Sequence, residues 1–271
     1  MTRTELPIAE NVMAKLDKIS GFQPKVVQNT ASGLVAYGNG EVSIWPGFNH
    51  ELFSRKITIL AEFDERSADE IKRRVTKPLQ DLATKYGITL SSAMNGDLPP
   101  HLTVQFPHFP EGIESEGKDK GLVTEKTQEI VGAIADDSQS LVGSIVPFDR
   151  LVLAGSQIYM CIGRPTKDEK TFKQYWDMLE AREKINAVLD RESALENPKY
   201  DDIIHSVIGR ITAINDDVDP RKLSEFAAEA YTTVGQDLAE TPISARIGSI
   251  YVGPINDYVN RVNPHLLHRT K

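Results

Sequence analysis

Two short strand-like stretches, each opening on a histidine and each preceded by a long helix-period stretch, constrain this chain more than anything else in it. The first is Pro100-His101-Leu102-Thr103-Val104-Gln105-Phe106, and the second is Ile204-His205-Ser206-Val207-Ile208-Gly209-Arg210. Period-two alternation reads as a strand with one buried face, and an apolar residue every three to four positions reads as an amphipathic helix. The order strand, helix, histidine strand occurs twice, and Ser67 to His101 is similar in length to Thr166 to His205. One structural unit used twice is the simplest arrangement with that order.

The remaining pattern fills in around these units. Ile8, Val12, Leu16 and Ile19 suggest a short N-terminal helix, and residues 33–46 read as strands with glycine turns. A strand is expected at 56–63. The helix after it is expected to start on a capping box, Ser67 with Glu70, to keep Ile71, Val75, Leu79, Leu82 and Tyr86 on one face, and to end at Gly87. Pro78 lies inside that span and should kink or split it. Residues 110–140 are polar and read as an insertion, with a short helical pattern near 122–134. Strands follow at 148–154 and 157–163, then a helix at about 168–191. A further helix starts with Asp219 as N-cap and Pro220 in its first turn, and a final strand spans 245–252 before an irregular tail. The class expected is α+β.

Composition narrows the function classes. The chain has 271 residues, 40% hydrophobic and 26% charged, as in an ordinary globular protein with a substantial core. No run approaches the roughly 18 apolar residues of a membrane span. Met1-Thr2-Arg3-Thr4-Glu5-Leu6-Pro7 lacks the apolar centre of a secretory signal, and Cys161 is the only cysteine. The expectation is a cytoplasmic protein without disulfides. A net charge of −8 runs against a surface that grips long duplexes through their phosphates. No duplex DNA partner is expected; a small nucleotide or a short RNA end fits better, with Arg150, Arg164 and Arg210 in or beside strands as a local basic lining. Oligomeric state is not encoded in these features.

On the first histidine strand, His101, Thr103 and Gln105 share one face, while Leu102, Val104 and Phe106 share the other. An imidazole beside a hydroxyl on a rigid strand suits holding a phosphate oxygen while a proton moves. Alone the pattern is weak, since His-x-Ser/Thr is expected by chance roughly once in a chain of this composition. A second histidine at the equivalent place in a second unit changes the balance. The pair resembles the two-histidine (2H) phosphoesterase superfamily, which includes 2′,5′ RNA ligase-like and cyclic phosphodiesterase proteins. The first motif stands intact as His101-Leu102-Thr103-Val104; the second starts at His205, with Arg210 five residues on.

The resemblance covers roughly residues 55–255. It implies a bilobal fold, two βα-rich lobes about a pseudo-twofold axis with a central cleft. Lobe 1 would be about 51–109 and lobe 2 about 141–255, with 1–50 an N-terminal extension, 110–140 an insertion and 256–271 a tail. It further implies phosphodiester hydrolysis without metal or cofactor, with His101 and His205 as acid and base and Thr103, Ser206 and Arg210 on phosphate oxygens. An unperturbed histidine, with a pKa near about 6.5, can fill either role around neutrality. The second motif departs from the pattern, because Val207 holds the expected hydroxyl position and Ser206 stands one residue early. A β-bulge near Gly209 could turn Ser206 back toward the cleft.

Tyr159 and Arg164 are further candidate substrate contacts, although a strand tyrosine is more often core. His108 reads as a loop histidine. His265 and His268 lack the further ligands of a zinc site. No Walker A segment, Gly-x-Gly-x-x-Gly turn or Gly-x-Ser-x-Gly elbow is present, so ATP hydrolysis, dinucleotide redox chemistry and serine-nucleophile chemistry have no support. The rival to an active enzyme is a weakened relative that binds a nucleotide or RNA end without turning it over.

Overall fold

A computed structural model of the chain describes residues 26–29, 34–37, 57–91, 100–105, 132–134, 140–154, 157–161, 169–191, 204–214, 221–254 and 268–269. The strands are β1 (Val26–Asn29), β2 (Leu34–Tyr37), β3 (Ile57–Phe63), β4 (Ile88–Ser91), β5 (His101–Gln105), β6 (Ile145–Phe148), β7 (Arg150–Ala154), β8 (Gln157–Cys161), β9 (His205–Ile214), β10 (Ile243–Pro254) and β11 (His268–Arg269). The helices are α1 (Glu65–Ile71), α2 (Lys77–Lys85), α3 (Glu169–Arg191), α4 (Arg221–Ala230) and α5 (Gln236–Glu240). The expected helix at 8–20 lies outside the described residues, as do His108, His265 and most of the 110–140 insertion.

Two antiparallel sheets carry the fold. The first runs β11-β10-β3-β5, with β6 also pairing to β10; the second runs β4-β9-β8-β7. With helices packed against them they make an α+β fold, as expected. Ile59, Ala61 and Phe63 of β3, Leu102 and Val104 of β5, and Ile250 and Val252 of β10 are buried in one core with Leu151, Leu153, Ile158, Met160, Ile208 and Ile211 of the second sheet. Helix α3 adds Met178, Leu179, Ile185 and Leu189. Each buried Val, Leu, Ile, Phe or Met side chain among them contributes about 1.5–3 kcal/mol by leaving water. Among the described residues no helix is long and apolar enough to cross a membrane.

The sheets do not coincide with the sequence halves. β3, from the first half, pairs with β10, while β4 pairs with β9 of the second half. The first half thus supplies β3 and β5 to one sheet and β4 to the other, and the second half supplies three strands to each.

The helix after β3 starts earlier than its sequence suggests. Asp64 is the N-cap, its carboxylate accepting from the Ser67 N–H at 2.9 Å. Ser67 lies inside the first turn, where its hydroxyl accepts from the Arg246 N–H at 2.9 Å. Pro78 splits the helix as expected. The split is a π-turn, Lys72–Thr76, just ahead of the proline, where widening relieves the clash of the ring with the preceding turn. Gly87 then ends it with φ at 67°.

Burial opposes the charge on Asp64. Hydrogen bonds from Ser67, followed by the charges of Arg246 and Arg66, outweigh it and hold the carboxyl below its ordinary value. A depressed carboxyl stabilises the fold above its unfolded value and loses that contribution as pH falls through its folded one. Asp64→Ala should cost about 1 kcal/mol in chemical unfolding at neutral pH. The gap between variant and wild type should close once the pH is well below the aspartate range.

Candidate active site

The first histidine stands on β5 at the margin of the first sheet. The β3–β5 register sets Glu62 opposite His101 and Leu60 opposite Thr103, so His101 and Thr103 share a face. Both are half-buried, while Leu102 and Val104 point into the core. The face continues onto β10, where Ser249 stands opposite Glu62 and Tyr251 opposite Leu60. The Ser249 hydroxyl donates to the Glu62 carboxylate at 2.8 Å.

A register shift between Ile247 and Ser249 makes this pairing. Gly248 is the extra residue, and a Cβ there would lie 3.0 Å from the Asp64 Cα. Glycine lets the two backbones close, and the shift brings a hydroxyl opposite Glu62 where regular pairing would bring Gly248 itself.

The second histidine opens β9, an inner strand of the second sheet. Cys161 stands opposite His205, Tyr159 opposite Val207, and Gln157 opposite Arg210. In a regular strand, residues five apart point to opposite faces. Here the register shifts between Ile158 and Tyr159, so Ile208 and Gly209 together face one partner residue. The bulge returns Arg210 to the face of His205 and Val207, and all three are half-buried there. The Tyr159 ring lies 5.2 Å from the His205 ring, inclined at 58°. Val207 occupies the position where the two-histidine pattern has a hydroxyl.

The bulge thus falls beyond Ser206 and leaves it pointing the other way. Ser206 is fully buried, and its hydroxyl donates to the His101 carbonyl at 2.6 Å. Its expected role as a phosphate contact is therefore corrected. The hydroxyl faces the opposite side of β9 from His205 and is engaged within the protein. What it does is join the two histidine strands: the residue after one histidine holds the backbone of the other. β5 and β9 run alongside each other at this junction.

The outer edge of β5 is fixed further along by α3. Arg182, 1% exposed, donates from Nη2 to the Thr103 carbonyl at 2.8 Å and from Nε to the Val104 carbonyl at 3.1 Å. Gln105 Nε2 donates to Asn186 Oδ1 at 2.6 Å. Neither Arg182 nor Asn186 was expected from sequence to matter. The signal lay in the α3 stripe Met178, Leu179, Arg182, Ile185, Asn186, Leu189, where two polar residues interrupt an otherwise apolar face. Glu62 was likewise overlooked, although it is a lone carboxylate in the apolar strand Ile57–Phe63.

Thr103, Tyr159, Arg210 and the two histidines are thus placed on half-exposed sheet faces, and Arg164 lies outside the described residues. Among the described residues no group of three or more His, Cys, Asp or Glu is placed to hold a metal ion.

No protein-family model matches the chain, and no curated protein does. Among solved structures the chain is similar to Usb1 of Kluyveromyces marxianus, over 75% of this chain and 95% of that one, with 13% sequence identity and a TM-score of 0.43. At that identity and TM-score the likeness does not bear on activity or substrate.

Proposed function

We propose that the chain is a metal-independent phosphodiesterase acting on a 2′,3′-cyclic phosphate or a 2′,5′-linked oligonucleotide. The observation that carries this reading is the bond from the Ser206 hydroxyl to the His101 carbonyl. It ties the strands of the two histidines together at the histidines themselves. One imidazole, neutral, takes the proton of the attacking water or ribose hydroxyl as the new P–O bond forms. The other, protonated, gives its proton to the oxygen whose bond to phosphorus breaks. Thr103 beside His101, and Arg210 beside His205, hold the non-bridging oxygens, and Tyr159 offers an aromatic face beside His205.

The pseudo-twofold, two-lobed arrangement over 51–255 belongs to the same reading, with each lobe built on one sheet instead of one sequence half. Two features support it. The helical segments α1–α2 and α4–α5 are each interrupted by a π-turn, Lys72–Thr76 and Tyr231–Gly235. They also pack together, with Tyr86 edge-on to Phe226 and Arg74 paired to Asp237.

The test is hydrolysis of a 2′,3′-cyclic mononucleotide and a 2′,5′-linked dinucleotide with EDTA present. Turnover that survives EDTA is expected; turnover abolished by EDTA and restored by a divalent cation would overturn the metal-independent mechanism. Val207 favours a second reading, a protein that binds the same ligands without hydrolysing them, because its position on the His205 face offers no hydroxyl to a phosphate. Val207→Thr separates the two. A hydrogen bond to a charged group is worth about 1.5–3 kcal/mol, or about ten- to a hundredfold. In an active enzyme the variant gains turnover; in a binding protein it gains affinity alone.

A further inference from the structure

We propose that Glu62, held by Ser249, is the residue that orients the His101 imidazole, so that this histidine works as one half of a carboxylate–imidazole pair. This deepens the phosphodiesterase reading and rests on it for its link to catalysis, though the pairing itself stands on geometry alone.

Three observations converge. Glu62 and His101 are directly opposite in the β3–β5 ladder and share a face. The Phe63 N–H donates to the Pro100 carbonyl at 3.1 Å, which makes the next pair along, Glu62 and His101, a non-hydrogen-bonded one. In such pairs the two Cα atoms are only about 4.5 Å apart and the side chains stand closest. Finally, Glu62 is buried, at 9% exposure. A buried carboxylate must be met by donors, and the neighbours that the ladders set across from it are Ser249, whose hydroxyl bonds it, and His101.

The chemistry follows from how an imidazole is directed. Its two nitrogens are distinct, and the hydrogen bond made by one fixes which nitrogen is left for the reacting group. With one ring N–H given to Glu62, the other nitrogen of His101 is held as the proton acceptor in the neutral ring and as the donor in the charged one. Ser249 keeps the carboxylate from turning away. Its place opposite Glu62 depends on the Gly248 bulge, so the glycine, the serine and the carboxylate form one supporting chain behind the histidine.

The experiment is long-range ¹H–¹⁵N NMR of the histidine rings in wild type, Glu62→Gln, Glu62→Ala and Ser249→Ala, with turnover measured on the same samples. In the wild type, neutral His101 should show a single tautomer. In Glu62→Ala it should show the averaged shifts of both tautomers, with Ser249→Ala and Glu62→Gln moving the same way by less. The rate should fall by about tenfold to a hundredfold in kcat, with KM within about twofold, as expected for misorientation rather than lost binding. Ser249→Ala guards against a folding defect, since it leaves the carboxylate in place. A His101 ring spectrum unchanged in folded Glu62 variants overturns the proposal. A pinned tautomer released by these variants, in a protein that hydrolyses neither substrate, upholds the pairing and removes the phosphodiesterase reading.

Discussion

His101→Ala and His205→Ala should each lower turnover of a 2′,3′-cyclic mononucleotide by about 10²–10⁴-fold, the range for loss of one positioned proton transfer. In the proposed mechanism the two histidines act on the two ends of a single displacement, one on the incoming oxygen and one on the leaving oxygen. Removing the second after the first should therefore cost far less than the product of the single effects. KM should change little, because on the same reading Thr103 and Arg210 remain to hold the phosphate. His205→Ala should change stability little, since its ring is half-buried on a sheet face and substitutions at such places usually stay within about 0.5 kcal/mol. His101→Ala also takes a donor from the buried Glu62 carboxylate and should cost about 1–3 kcal/mol. A folded double variant that retained wild-type turnover would remove the histidines from the mechanism. A large loss of stability in His205→Ala, without loss of turnover in the folded protein, would make that histidine structural.

Arg182→Met should be strongly destabilising, about 2–6 kcal/mol in chemical unfolding. Arg182 is among the largest fully buried side chains, and it donates to two backbone carbonyls of β5. Methionine fills much of the space but donates nothing. Each carbonyl left buried without a donor costs about 1–3 kcal/mol. Arg182→Lys should recover only part of the loss, since one ammonium on a flexible stem does not reproduce the planar fork that spans Thr103 and Val104. Because β5 carries His101, the methionine variant should also lose activity at temperatures where it remains folded. A loss under about 1 kcal/mol would mean that water or a neighbouring donor reaches these carbonyls.

The elements were largely legible in the sequence, and the partners were not. Alternation over His101–Val104 and helical spacing at 169–191 each depend on one segment meeting one core, and both are where the residues imply; Gln105, expected on the His101 face, is instead turned onto the buried side opposite Ile59 by a register shift at Val104. The helix starts at Asp64 and not at Ser67, two residue types equally suited to capping. What decides between them is the Arg246 N–H, which arrives from β10 and occupies the Ser67 hydroxyl. That β3 joins β10 and β4 joins β9 is invisible to a period-two pattern, which says that a strand has a buried face and nothing about its neighbour. The bulges at Ile208 and Gly248 matter most for the site. The first turns Arg210 onto the His205 face and leaves Ser206 behind; the second aligns Ser249 with Glu62. Both are fixed by how two strands slide against each other, which no single strand records.

The outer margin of β5 has a consequence for recognition. An open sheet margin is a template, and an extended peptide or a second chain can lengthen the sheet by bonding its own backbone there. On β5 the carbonyls that such a guest would use, those of His101, Thr103 and Val104, already receive Ser206 and Arg182. Among the described residues, strand addition at the histidine margin would meet carbonyls that are already engaged. A partner that approaches His101 meets its side-chain face, because these three carbonyls are already taken.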